Sequence, residues 1–85
     1  MELSERSREI LDFERTWRAL PGTKAAAIRE RFGMSDSRYY RLLNALLDEP
    51  GVAAYDPLVV KRLRRRRDRR RRARYDSQYG GSESR

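Results

Sequence analysis

Of the fourteen residues from Lys61 to Arg74, eleven are basic and one, Asp68, is acidic; Leu63 and Ala73 are the remaining two. Such a segment has no apolar face beyond Leu63, so a hydrophobic core has to come from the sixty or so residues before it. The charge is correspondingly lopsided. Residues 1–60 carry nine basic and ten acidic side chains, and the net +8 of the 85-residue chain comes from the arm. A nearly neutral body with one intensely basic arm points to a polyanionic partner.

The body reads as all-α. Ile10, Phe13, Trp17 and Leu20 recur at helical spacing and predict a helix over 5–20, with Ser4 as N-cap and Pro21-Gly22 as terminator. Glu2, Glu5, Glu9, Asp12 and Glu14 read as its solvated face and dipole partners. Thr23 can cap a second helix from Lys24 to Phe32, with Ala27, Ile28 and Phe32 inward and Gly33 in the left-handed position that stops it. Ser35 can cap a third, running to Leu47 or Asp48, with Tyr39, Leu42, Leu43 and Leu46 on its apolar face. Glu49-Pro50-Gly51 breaks the chain, and Val52 to Tyr55 form a short apolar link or a single helical turn. Asp56-Pro57 then starts a last helix to Arg74, whose Leu58, Val59, Val60 and Leu63 pack on the body. The expected organisation is a three-helix body over 1–60, a basic helix or arm over 61–74 and a disordered tail over 75–85.

Several function classes drop out. With 40% charged and 38% hydrophobic residues there is little material for a buried catalytic cleft, so an enzyme is the class least supported. Cysteine and histidine are both absent. Disulfides, thiol chemistry, imidazole acid–base work and a structural zinc site are thereby excluded, and no cofactor or metal is expected. No apolar run approaches the ~20 residues of a membrane span, and the N-terminus lacks a signal-peptide layout, so a cytoplasmic protein is expected.

The informative constellation is residues 23–47. In a helix-turn-helix, apolar residues fall at set offsets around the turn glycine and hold the second helix at the angle that suits the major groove. Counted from Gly33, the positions five and one before and one, six and nine after hold Ile28, Phe32, Met34, Tyr39 and Leu42. The segment resembles the general helix-turn-helix pattern in all five. It departs where the pattern usually has a small residue four before the glycine: Arg29 stands there, so either the crossing adjusts or Ala25 to Ala27 provide the close approach. More widely, Ile10 to Trp17, Ala27 to Glu30, Ser37 to Tyr40, Leu43 to Leu46, Asp56-Pro57 and the Arg-rich helix resemble a family of small actinobacterial proteins, labelled a domain of unknown function and found also in phages of those bacteria. The resemblance covers most of residues 8–74 and implies, at most, a small DNA-binding or nucleoid-associated role.

If the third helix enters the major groove, Ser35, Asp36, Ser37, Tyr40, Arg41 and Asn44 meet base edges. Arg41 suits guanine, Asn44 suits adenine, and Asp36 or Ser37 can accept from cytosine. Ser35 could instead bind a phosphate. Arg38, at the flank, and Thr23 and Lys24, at the start of the second helix, suit phosphates. The arm supplies Lys61, Arg62, Arg64, Arg65, Arg66, Arg67, Arg69, Arg70, Arg71, Arg72 and Arg74 as phosphate-binding groups. Like charges at i, i+4, such as Arg62/Arg66 and Arg66/Arg70, predict that the free arm frays past Leu63, with Asp68 relieving Arg64 and Arg72 in part. Phosphates would order it, or it would thread the minor groove extended. Trp17 and Tyr39 read as core, Tyr55 as packed under the last helix, and Tyr75 and Tyr79 as tail residues able to stack on bases.

The leading expectation is a small double-stranded-DNA-binding protein, nucleoid-associated or regulatory, of undetermined oligomeric state. RNA or ribosome binding is the alternative, because nothing in the arm separates the two polymers. An adaptor for the transcription machinery, using apolar surface around Val52 to Val60, is the third.

Overall fold

The computed structural model describes residues 3–75; Tyr75, expected to open the disordered tail, ends the last helix instead, and the rest of that tail, with Tyr79, lies outside the described residues. Five helices follow one another: α1 (Glu5–Thr16), α2 (Lys24–Phe32), α3 (Asp36–Leu46), the single turn α4 (Val52–Tyr55) and α5 (Pro57–Tyr75). No strand occurs among the described residues, and the fold is all-α.

The helix starts are set by local chemistry. The hydroxyls of Ser4, Thr23 and Ser35 accept from the backbone N–H groups of Ser7, Ala26 and Arg38 at 3.1, 3.1 and 3.2 Å. Each such cap satisfies an otherwise orphaned donor and contributes ~1 kcal/mol. Asp56 caps α5 through Val59 N at 3.4 Å. Gly33 adopts φ +67°, and its N–H closes α2 on the carbonyl of Arg29 at 2.8 Å. A side chain there would incur the left-handed penalty, which is why a glycine can turn the chain so abruptly into α3.

The first helix is shorter than the apolar spacing predicts. It ends at Thr16, and Trp17–Ala19 form a 3-10 turn. Pro21 is the cause: a residue before proline is pushed out of the α region, and Leu20 is extended at ψ 148°. Leu20 therefore leaves the stripe and is exposed, while Leu11, off the simple spacing, is fully buried.

The core gathers Ile10, Leu11 and Phe13 from α1, Ala27 and Ile28 from α2, and Tyr39, Leu43, Leu46 and Leu47 from α3 and its cap. Leu3, Val52, Val59, Val60 and Leu63 complete it. Phe13, Phe32 and Tyr39 form a ring cluster with centroids 5.5–5.8 Å apart, two of the three pairs edge-on. All five offset residues around Gly33 lie in this core or against it. Arg29 is exposed, and the small residue at the α2 contact is Ala27.

Burial of Val52, Val59 and Val60 removes most of the apolar surface expected there. Exposed large side chains in that stretch are Tyr55 and Leu58. Tyr55 lies over α1 with its hydroxyl on Asp12 at 2.9 Å.

The basic helix does not fray after Leu63; it is continuous to Tyr75. Three of its arginines turn back on the body. Arg64 donates twice to the carbonyl of Leu47, at 3.0 and 2.8 Å. Arg67 donates to the carbonyl of Asn44 at 3.3 Å and to the Asp48 carboxylate at 3.0 Å. Arg62 reaches the carbonyl of Glu14 at 3.3 Å. Arg64 and Arg67 thus cap the carbonyl-rich C-terminal end of α3, where the helix dipole favours cations. Repulsion along α5 is offset there by α3, and not by Asp68, which makes no ion pair among the described residues.

One carboxylate of the supposed solvated face of α1 is inside. Glu14 is 1% exposed. It accepts from the Tyr39 hydroxyl at 2.5 Å and pairs with Lys24 Nζ at 3.0 Å. A buried charge is tolerable only when partnered in this way. The triad ties the start of α2 to α1 and α3.

Candidate nucleic-acid interface

The apolar face of α3 is buried, which leaves Ser37, Arg38, Arg41 and Asn44 on its exposed side. Ser35 and Asp36 are exposed at its N-terminal end. These six can all be reached from solvent. The Ser35 oxygen already accepts from the Arg38 N–H, as that of Thr23 accepts from Ala26, so each hydroxyl keeps only its proton to offer a phosphate.

Two residues of the expected surface are engaged elsewhere. The Lys24 ammonium is directed to Glu14 and lies 5.0 Å from the ring centroids of both Trp17 and Tyr40. It neutralises the buried carboxylate and makes cation–π contacts, so it is not a free phosphate ligand. Tyr40 is half-buried beneath it, edge-on to Tyr39 at 5.2 Å and 84°. Only the rim of that ring is available to a partner. Burial, and the Glu14 carboxylate beside it, push the Tyr39 phenol far above its ordinary range, so it stays protonated as the donor of that bond.

On α5, nine of the eleven basic side chains are exposed: Lys61, Arg62, Arg65, Arg66, Arg69, Arg70, Arg71, Arg72 and Arg74. Arg64 and Arg67 are the half-buried pair holding α3. Among the described residues, Arg67 Nε is buried with no hydrogen-bond acceptor. Structural and free arginines were indistinguishable in a monotonous run. The usable signal was the continuation of the Val60–Leu63 stripe, which passes through residues 64 and 67. For Glu14, the usable signal was its position four after Ile10 and three after Leu11.

The exposed arginines fall on two sides of α5. Arg65, Arg69 and Arg72 share one side with Lys61, Arg64 and Asp68. Arg66, Arg70, Arg71 and Arg74 share the other, across a groove of about 250 Å³ from Tyr40 and Asn44 of α3. Lys24, Leu43, Leu47, Leu63 and Arg67 line the rest of that groove. The arrangement can present cations to a polyanion on both sides of α5, and on one side it adds a wall of α3.

No helix among the described residues is long and apolar enough to cross a membrane. No curated protein and no solved structure matches the chain significantly. A family match does exist, and it runs over residues 2–75, from the start of the helical body through the last turn of α5, so that body and basic helix together form one family unit. The chain belongs to the family described as "Protein of unknown function (DUF3263)".

Proposed function

We propose that this protein binds double-stranded DNA, with α3 as the reading helix and α5 as an electrostatic grip, in a nucleoid-associated or regulatory role. The observation that carries this reading is the pairing of two exposed features on one small body. One is the polar side of α3, with Arg41 and Asn44 able to address guanine and adenine edges. The other is α5, with nine exposed cations. Phosphate contacts hold and orient such a protein, and base contacts give it any sequence preference.

The test is selection from a random duplex library at ~150 mM salt, where sequence-independent binding weakens to ~10⁻⁴–10⁻⁶ M, with structured RNA as competitor. Enrichment of a short motif, lost on Arg41→Ala, supports α3 as a reader. Duplexes recovered with no motif reduce the reading to a DNA coater. Loss of all duplex binding to the RNA competitor refutes it.

A further inference from the structure

Resting on that DNA reading, we infer that the groove between α3 and α5 seats the phosphodiester ridge of one DNA strand, and that only one side of the basic helix grips it. The sides of α5 differ in what surrounds them. Arg65, Arg69 and Arg72 sit with the acidic Asp68, and the single turn α4 faces that side only through Ala53, which has no polar side chain to offer. Arg66, Arg70, Arg71 and Arg74 look across the groove at Asn44 and the rim of Tyr40.

Electrostatics favours the second side. Residues four apart on a helix are separated by ~6 Å along its axis, inside the ~8 Å Debye length of physiological salt. The fields of Arg66, Arg70 and Arg74 therefore add. They meet low-dielectric walls rather than open water, which focuses the potential into the groove. The nearby carboxylates are already taken, Asp48 by Arg67 at 3.0 Å and Glu14 by Lys24 at 3.0 Å. Asn44, assigned above to a base edge, puts a neutral amide rather than an acid on the groove wall. Its placement on both the exposed side of α3 and the groove wall means that a duplex lying on α3 brings a flanking strand to this groove. A backbone phosphate ridge is narrow, polyanionic and continuous, and it matches a cationic furrow between two helices.

Matched triple variants test this in the full chain. Arg66, Arg70 and Arg74 are changed to Gln in one, and Arg65, Arg69 and Arg72 in the other, so each loses three charges. Affinity for a random-sequence DNA duplex is measured against salt, with helicity and melting temperature as fold controls. The groove-side triple is expected to lower affinity at least tenfold more than the outer triple. It should also flatten the log affinity–log salt slope by about 2.7, at ~0.9 for each phosphate no longer neutralised, and the outer triple by less than 1. Equal losses from the two triples, with wild-type DNA binding intact, overturn the groove and leave the DNA reading standing. Failure of the wild type to bind duplex DNA overturns both. Should a triple unfold, Arg70→Gln against Arg69→Gln carries the same comparison, with an expected slope change near 0.9 confined to Arg70.

Discussion

The Glu14–Tyr39–Lys24 triad gives the most demanding test of the fold. Tyr39 is fully buried and its hydroxyl donates to the Glu14 carboxylate at 2.5 Å. Tyr39→Phe keeps the ring and its edge-on contacts and deletes one donor to a buried charge. A hydrogen bond to a charged group contributes about 1.5–3 kcal/mol, so a loss of about 2 kcal/mol is expected at pH 7. An 85-residue chain has about 4–13 kcal/mol in total. The change should therefore lower the melting temperature by ~8–16 °C, at ~4–8 °C per kcal/mol. The same bond sets an alkaline signature. The Tyr39 phenol is raised above its ordinary value near 10. Below pH ~10 folded and unfolded chains both hold that proton, and the contribution is fully present. Above it the unfolded chain releases the proton and the folded chain does not, so stability is lost as pH rises, by up to ~1.4 kcal/mol per pH unit. Urea unfolding from pH 7 to 11 checks both, read by Trp17, the one tryptophan, which packs against Lys24. The Phe variant should be weaker at pH 7 and flatter in alkali. Replacing the whole triad, with Tyr39→Phe, Glu14→Met and Lys24→Met together, should recover part of the loss, because no under-partnered charge is then buried. A Phe variant within 0.5 kcal/mol of wild type, with an unchanged alkaline slope, would refute the account of the triad.

Gly33→Ala meets no neighbour within 4 Å but must hold φ +67°, so a loss of about 1–2 kcal/mol by chemical denaturation is expected, and less for Gly33→Asn. Arg64→Ala removes both bonds to the Leu47 carbonyl and should cost about 1–2 kcal/mol. Arg65→Ala should change stability by less than ~0.5 kcal/mol, and equal effects of the two would deny Arg64 its capping role. Truncation after Asp68 spares Leu63, Arg64 and Arg67 while removing Arg69, Arg70, Arg71, Arg72 and Arg74. It should leave a cooperatively melting body whose DNA affinity depends on salt with a slope shallower by about 2.7, at ~0.9 for each of the groove-side Arg70, Arg71 and Arg74; an unchanged slope would deny the arm its phosphate-binding role.

Much of the fold was decided locally, and local decisions are written in short stretches of sequence. The caps at Ser4, Thr23, Ser35 and Asp56, the stop at Gly33 and the breaks at Pro21-Gly22 and Pro50-Gly51 each rest on residues within four positions of one another. Helical spacing around Gly33 likewise placed Ile28, Tyr39 and their companions in or against the core. What only the tertiary structure decided involves partners distant along the chain. Glu14 looked like a solvated acid until Tyr39, 25 residues away, and Lys24, 10 away, were brought onto it. Arg64 and Arg67 looked like any other arginine in the run until the C-terminal carbonyls of α3 were folded beneath them. Periodicity can mark which side of a helix faces inward, but a run of one residue type carries no contrast. Its division into cations that hold the body together and cations left for a partner exists only once α5 lies against α3.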